Sequence, residues 1–170
     1  TIDHLYPYVE AGVPIVGIEP SCTAVLRTDA VELVDDRRAA AVAGGVFTLS
    51  ELLSRTPGWN PPDLTGIHLV VQPHCHQASV VGFEPDLALL QATGATVQRL
   101  AGCCGLAGNF GVERGHYDVS VAVAQQHLLP AVRNAPEGAR IVADGFSCRT
   151  QLKDLVDVEA VHLAQLLTSP

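Results

Sequence analysis

Thr96-Val97-Gln98-Arg99-Leu100-Ala101-Gly102-Cys103-Cys104-Gly105-Leu106-Ala107-Gly108 joins a predicted strand, Thr96 to Leu100, to a glycine-rich turn carrying two adjacent cysteines. The same order, apolar run and then cysteine, recurs along the chain. Pro14 to Ile18 precedes Cys22, Ile67 to Val71 precedes Cys75, and Arg140 to Ala143 precedes Cys148. Helical patterns separate these runs, with apolar faces such as Val119, Val123, Leu128 and Val132 between Gly115 and Asn134, where Pro130 is expected to kink or split the helix. Strands that alternate with helices long enough for crossovers specify an α/β fold with a mainly parallel sheet and helices on both faces. In such a sheet the loops leaving the carboxyl ends of the strands converge on one crevice. Four sequence-distant loops therefore bring thiols towards one place.

The bulk composition fits that reading. A chain of 170 residues, 48% hydrophobic and 16% charged, is large enough for a real core and too apolar for disorder. A net charge of -8 disfavours nucleic acid and anionic membrane surfaces as main partners, since both reward basic patches. No apolar run approaches the length of about 20 residues that crosses a bilayer, and Thr1-Ile2-Asp3-His4 has no signal-peptide character. The first residues read as the end of a helix already under way, so the chain is expected to begin inside a larger protein. The cysteines number five, an odd count that leaves one thiol over from any disulfide framework. A single free cysteine behaves as a small buried hydrophobe, but five that all follow strands argue for metal or catalysis.

Ile15-Val16-Gly17-Ile18-Glu19-Pro20-Ser21-Cys22-Thr23-Ala24-Val25-Leu26 is similar to Ile141-Val142-Ala143-Asp144-Gly145-Phe146-Ser147-Cys148-Arg149-Thr150-Gln151-Leu152. Both read as strand, serine-cysteine turn, helix, a pseudo-repeat of two βα halves. Cys22 and Cys148 fall just before predicted helices, where free N–H groups favour a thiolate. Cys103 and Cys104 are poor disulfide partners for each other because the vicinal ring is strained. They can instead reach two irons of one cluster, or chelate one ion.

Cys75, Cys103-Cys104-Gly105 and Cys148 resemble the cysteine-rich CCG domain found in heterodisulfide reductase, in glycolate oxidase iron-sulfur subunits and in anaerobic glycerol-3-phosphate dehydrogenase. Pro73-His74-Cys75-His76, Cys103 to Gly111 and Asp144 to Gln151 resemble most closely the C-terminal region of fused FAD/iron-sulfur oxidoreductases of the D-lactate and D-2-hydroxyglutarate dehydrogenase type. The resemblance implies an iron-sulfur cluster held by Cys75, Cys103, Cys104 and Cys148. It also implies an electron path from a flavin domain, through a ferredoxin-like segment of the same polypeptide, towards a quinone or other acceptor. FAD belongs to the flavin domain, outside this chain, so the chain alone is expected to be inactive. Residues 1–58 are expected to be the C-terminal part of a first CCG-like half and residues 59–170 a complete second half, together one compact unit. The expected location is the cytoplasm, or peripherally the inner face of the membrane.

The sequence departs from the heterodisulfide reductase pattern where the motif ends in Cys-x-x-Cys, because Gln151 holds the second place. The four remaining cysteines suit an iron-sulfur cluster or zinc, and the zinc alternative makes the chain a structural or assembly domain. His76 is the better histidine candidate for a further ligand, while His74 is expected to hydrogen-bond backbone or solvent. Cys22 is a less certain member, assigned through the repeat to a separate location.

Overall fold

Val70 and Val71 lie in a run apolar enough to be covered on both faces, the mark of a central parallel strand. In the computed structural model, which describes residues 1–168, the helices and strands alternate as α1 (Ile2–Glu10), β1 (Ile15–Gly17), α2 (Pro20–Arg27), α3 (Asp29–Leu33), α4 (Arg38–Gly45), β2 (Val46–Thr48), α5 (Leu49–Ser54), β3 (His68–Val71), α6 (Cys75–Val80), α7 (Glu84–Ala92), β4 (Thr96–Arg99), α8 (Tyr117–Ala124), α9 (Leu128–Arg133), β5 (Arg140–Val142), α10 (Phe146–Val156) and α11 (Leu163–Thr168). The fold is α/β and every strand pair is parallel. The four expected strands are all present, but they divide between two sheets. β1 pairs with β2, and the second sheet has the order β4-β3-β5. β2 has no counterpart among the strands expected from sequence: three residues after Gly44-Gly45 are too short for a period to be read.

The chain groups into two compact units, Thr1–Trp59 with His76–Asp86, and Asn60–Cys75 with Leu87 onward. In the first, Ile2, Ala39, Val42 and Val46 form a small core against Leu5, Tyr6, Ile15 and Leu26. Arg27 reaches from α2 to the Glu51 carboxylate of α5, both nitrogen-oxygen distances falling at 2.7–2.8 Å. Glu51 also completes a capping box with Thr48, which starts α5 immediately after β2.

In the second unit β3 is central. Leu69 lies opposite Val97 of β4 and Arg140 of β5, and Val71 opposite Arg99 and Val142. Val161 extends the sheet by a parallel bridge to Val142. Leu128, Leu129 and Leu152 are buried with Val70, Leu100, Leu106, Cys104 and Cys148, each leucine contributing about 2 kcal/mol of apolar burial. The long helix expected from Gly115 to Asn134 is two helices, broken at Gln125–His127, and Pro130 sits in the first turn of the second, where a missing N–H is harmless. The buried face is Ser120, Ala124 and Leu128, whereas Val119 is exposed. Small side chains there let the cysteine-bearing loop come close to α8.

Candidate metal centre

β3, β4 and β5 run side by side, so their carboxyl ends open onto a common edge. The ladder carries one residue further at two of those ends: Gln72 donates its N–H to the Val142 carbonyl, and Leu100 donates to that of Val71. The three segments that follow hold Cys75, at the start of α6, Cys103-Cys104, and Cys148, in the first turn of α10. Their thiols touch in series. The Cys75 thiol donates to the Cys103 sulfur at 3.7 Å, Cys103 is hydrogen-bonded to Cys104, and Cys104 to Cys148. Cys75 is exposed and Cys103 half-buried, while Cys104 and Cys148 are only 3% and 2% exposed. The row therefore runs from solvent into the core.

Cys103 and Cys104 hold their protons more tightly than an ordinary cysteine. The hydrogen bond to Cys104, then burial, push the Cys103 thiol well above the ordinary cysteine range. For Cys104, the bond to Cys103 favours the thiolate, but the Cys148 thiol and burial outweigh it and raise the group to about 11. Backbone donors act the other way: the Gly105 N–H lies 3.4 Å from the Cys103 sulfur, and the Leu106 N–H bonds that of Cys104. A cation bound among these sulfurs would reverse the balance, because coordination requires and stabilises thiolates.

The loops are shaped by long-range contacts. Gly105 has φ +93°, and a Cβ there would stand 2.2 Å from the Ser120 carbonyl oxygen, so only glycine fits. Ser120 is in turn held by the Gln151 amide, which donates to its hydroxyl at 2.9 Å. Gln151 thus occupies the place of the motif's second cysteine with a buried amide directed to α8. Gly145 precedes α10, and a Cβ there would meet the His74 ring at 2.3 Å and the Cys148 sulfur at 3.4 Å. His74 is accordingly buried against this turn. Arg149 closes the same turn by donating to the Ala143 and Asp144 carbonyls, and Ser147 accepts from the Gly108 N–H. Asp144 is half-buried behind it and accepts from the Leu163 N–H at 2.7 Å. Burial raises its carboxyl above the usual range, opposed by His162 with a ring nitrogen 3.8 Å away.

His76 is the second residue of α6 and half-buried, and its carbonyl accepts from Ser79. Cys22 belongs to the first unit, where it is exposed as the third residue of α2. Cys148 likewise is the third residue of α10, so both cysteines lie inside helices that sequence reading starts after them. Gln72 and Ser120 carry no chemical motif, and their part in the site emerges only with the fold, as does the bond from Gln151 to Ser120. Gln72 donates to the Pro73 and Gly102 carbonyls and ties the β3 loop to the β4 loop.

Four sulfurs from three segments, with backbone N–H groups on two of them, fit a thiophilic metal or cluster in the kind of donor they offer. Among the described residues no group of three or more His, Cys, Asp or Glu side chains is arranged to hold a metal ion. The thiols form a row of contacts, and binding would require their side chains to rotate about a common centre.

The chain is thus α/β, with cysteines from three segments at the carboxyl edge of its three-stranded parallel sheet. No family model matches the chain, and no solved structure does. Among curated proteins it is similar to D-2-hydroxyglutarate dehydrogenases. It is 25% identical to that of Escherichia coli over 171 aligned positions, covering 98% of this chain and 16% of that protein. The identity is 27% with that of Pantoea ananatis and 26% with that of Pseudomonas putida, each covering 90% of this chain and 15% of the relative. The chain thus spans about one sixth of the length of these relatives.

Proposed function

We propose that this chain is the iron-sulfur module of a flavin-linked 2-hydroxyacid dehydrogenase, with Cys75, Cys103, Cys104 and Cys148 as its ligands. The observation that carries the reading is the contact series of these four thiols. Likeness to D-2-hydroxyglutarate dehydrogenases along nearly the whole chain supports it. When bound, an iron-sulfur cluster supplies one-electron transfer.

The chain's own residues have separable tasks in this reading. Cys104 and Cys148 anchor the centre in the core and exclude water from one side. Gly105 and Leu106 donate N–H groups to sulfur, which favours the anionic ligand and raises a reduction potential. Ser120 and Gln151 fix the paired-cysteine loop. Cys75 faces solvent, on the side open to an electron donor. FAD, the ferredoxin-like segment and the 2-hydroxy acid site lie in other parts of the polypeptide, with a quinone or other small acceptor at the end of the path. Residues 1–58 and 59–170 are read as two related CCG-like halves. Among the described residues no helix is long and apolar enough to cross a membrane, and we place the module in the cytoplasm or against the inner membrane face.

One observation favours a structural zinc ion. Four sulfurs at about 2.3 Å from a tetrahedral ion stand about 3.8 Å apart, and Cys75 and Cys103 are separated by 3.7 Å. Iron, acid-labile sulfide and zinc analysis of anaerobically purified chain separates the two readings. Iron with sulfide and broad visible absorption supports the cluster, zinc without sulfide the structural ion, and neither metal on four intact thiols contradicts both.

A further inference from the structure

We propose that Cys75 and Cys103 form an oxidation site, closing to a disulfide between the β3 and β4 loops when no metal holds them. The inference rests on the sulfur positions; its antagonism to metal rests on the reading above. The two sulfurs are 3.7 Å apart although the residues are 28 positions apart in sequence. A disulfide needs about 2.05 Å, a gap of about 1.6 Å that small rotations of two side chains can close.

The other pairings are worse. Cys103 with Cys104 gives a strained vicinal ring. Cys104 and Cys148 are in contact, but both are buried at 3% and 2% exposure, beyond direct reach of an oxidant in water. Cys75 alone in the row is exposed, so it meets the oxidant first. With hydrogen peroxide, the Cys75 sulfur attacks one oxygen, the O–O bond breaks, and the sulfenic acid and one water form. The Cys103 sulfur then attacks the oxidised sulfur, the S–O bond breaks, and a second water leaves. The two thiols give up two electrons and two protons, and peroxide becomes two waters. The bond removes two of the four sulfur donors, so an oxidised chain cannot be loaded until a thiol reductant reopens it.

The test uses the full chain, reduced, freed of metal by a chelator, exposed to a small excess of hydrogen peroxide, alkylated and cut with trypsin. The expected product joins the peptide Thr56–Arg99 to Leu100–Arg114, two hydrogens lighter than their sum, with fragment ions assigning Cys103. It should exceed any other cysteine link about tenfold. Cys75→Ser and Cys103→Ser should abolish the link and Cys104→Ser should keep it, and fragment ions from the unaltered chain decide the matter if a variant fails to fold. A dominant link from Leu100–Arg114 to Ile141–Arg149, or Cys75 carried to sulfinic acid without any link, would overturn the proposal. A parallel sample loaded with zinc alone distinguishes the two readings. A link that forms in the free chain and is unaffected by zinc contradicts the metal site but not the disulfide. Stoichiometric zinc binding with no link in the free chain contradicts the disulfide alone.

Discussion

The turn between β1 and α2 and the turn between β5 and α10 carry similar sequence and place a cysteine at the same helical position, yet they are held together differently. The first is local. Glu19 caps α2, accepting from the Cys22 N–H at 3.0 Å and from the Ser21 hydroxyl, and Cys22 points to solvent. The second has Gly145 at the cap and no side-chain cap bond. Its shape comes from residues far away in sequence: His74 against Gly145, Gly108 on Ser147, Leu163 on Asp144, Ser120 on Gln151. One βα turn therefore satisfies itself, whereas the other leaves its helix start to neighbouring loops and gains a buried thiol among thiols. Similar local sequence puts each cysteine third in its helix after an extended cap, and the two turns differ in the long-range packing around them.

Gly105→Ala should break the second turn's support most severely. The added Cβ meets backbone at 2.2 Å in a left-handed conformation, and the combined overpacking and strain should cost about 3–4 kcal/mol, read as a lower denaturation midpoint. An unchanged midpoint would mean that α8 does not confine the cysteine loop.

Alkaline pH probes the same crowding. A thiol whose folded pKa lies above its unfolded value contributes stability that is present below the unfolded value and lost as pH rises through the folded one. For Cys104 that window runs from 9.0 to about 11, and Cys103 shifts in the same direction. The metal-free, reduced chain should lose about 2–3 kcal/mol across it. A flat profile from urea titrations at successive pH values would contradict contact between the buried sulfurs.

Gln151→Ala leaves the buried Ser120 hydroxyl without its donor, and should cost about 1–3 kcal/mol. Restoring a cysteine by Gln151→Cys should not restore that stability, since the partner is a hydroxyl on α8. Glu19→Ala, in the self-sufficient turn, removes only a cap and should cost about 1 kcal/mol, with no change in the alkylation rate of Cys148. A changed alkylation rate of Cys148 in Glu19→Ala, or no loss of stability in Gln151→Ala, would erase the distinction between the turns.

What the sequence made legible follows the same division. Strands Ile15–Gly17, His68–Val71 and Arg140–Val142 are largely apolar runs with clear stops, Thr96–Arg99 is marked by its β-branched start and the Gly102 turn after it, and Glu84–Ala92 is bounded by its own turn residues. The cysteines are conspicuous because each follows a strand. Two sheets in place of one depend on β2, whose three residues acquire meaning only beside β1. The buried stripe of α8 is Ser120 and Ala124, not the valines that a helical wheel favours, because a glycine-rich loop needs small neighbours. His74 and Gln151 were illegible as site residues for a related reason: their roles are set by atoms more than thirty positions away, Gly145 for one and Ser120 for the other.

Metal content of Cys22→Ser and Cys104→Ser variants, prepared without oxygen alongside the unaltered full chain, tests the central claim most directly. Cys22 and Cys104 each follow a predicted strand in the sequence, so a difference in bound metal reports the site and not that pattern. The account predicts that Cys22→Ser keeps nearly all of its iron, or zinc under the alternative reading, while Cys104→Ser loses most of it. Equal loss in the two variants, or full retention in Cys104→Ser, would contradict it.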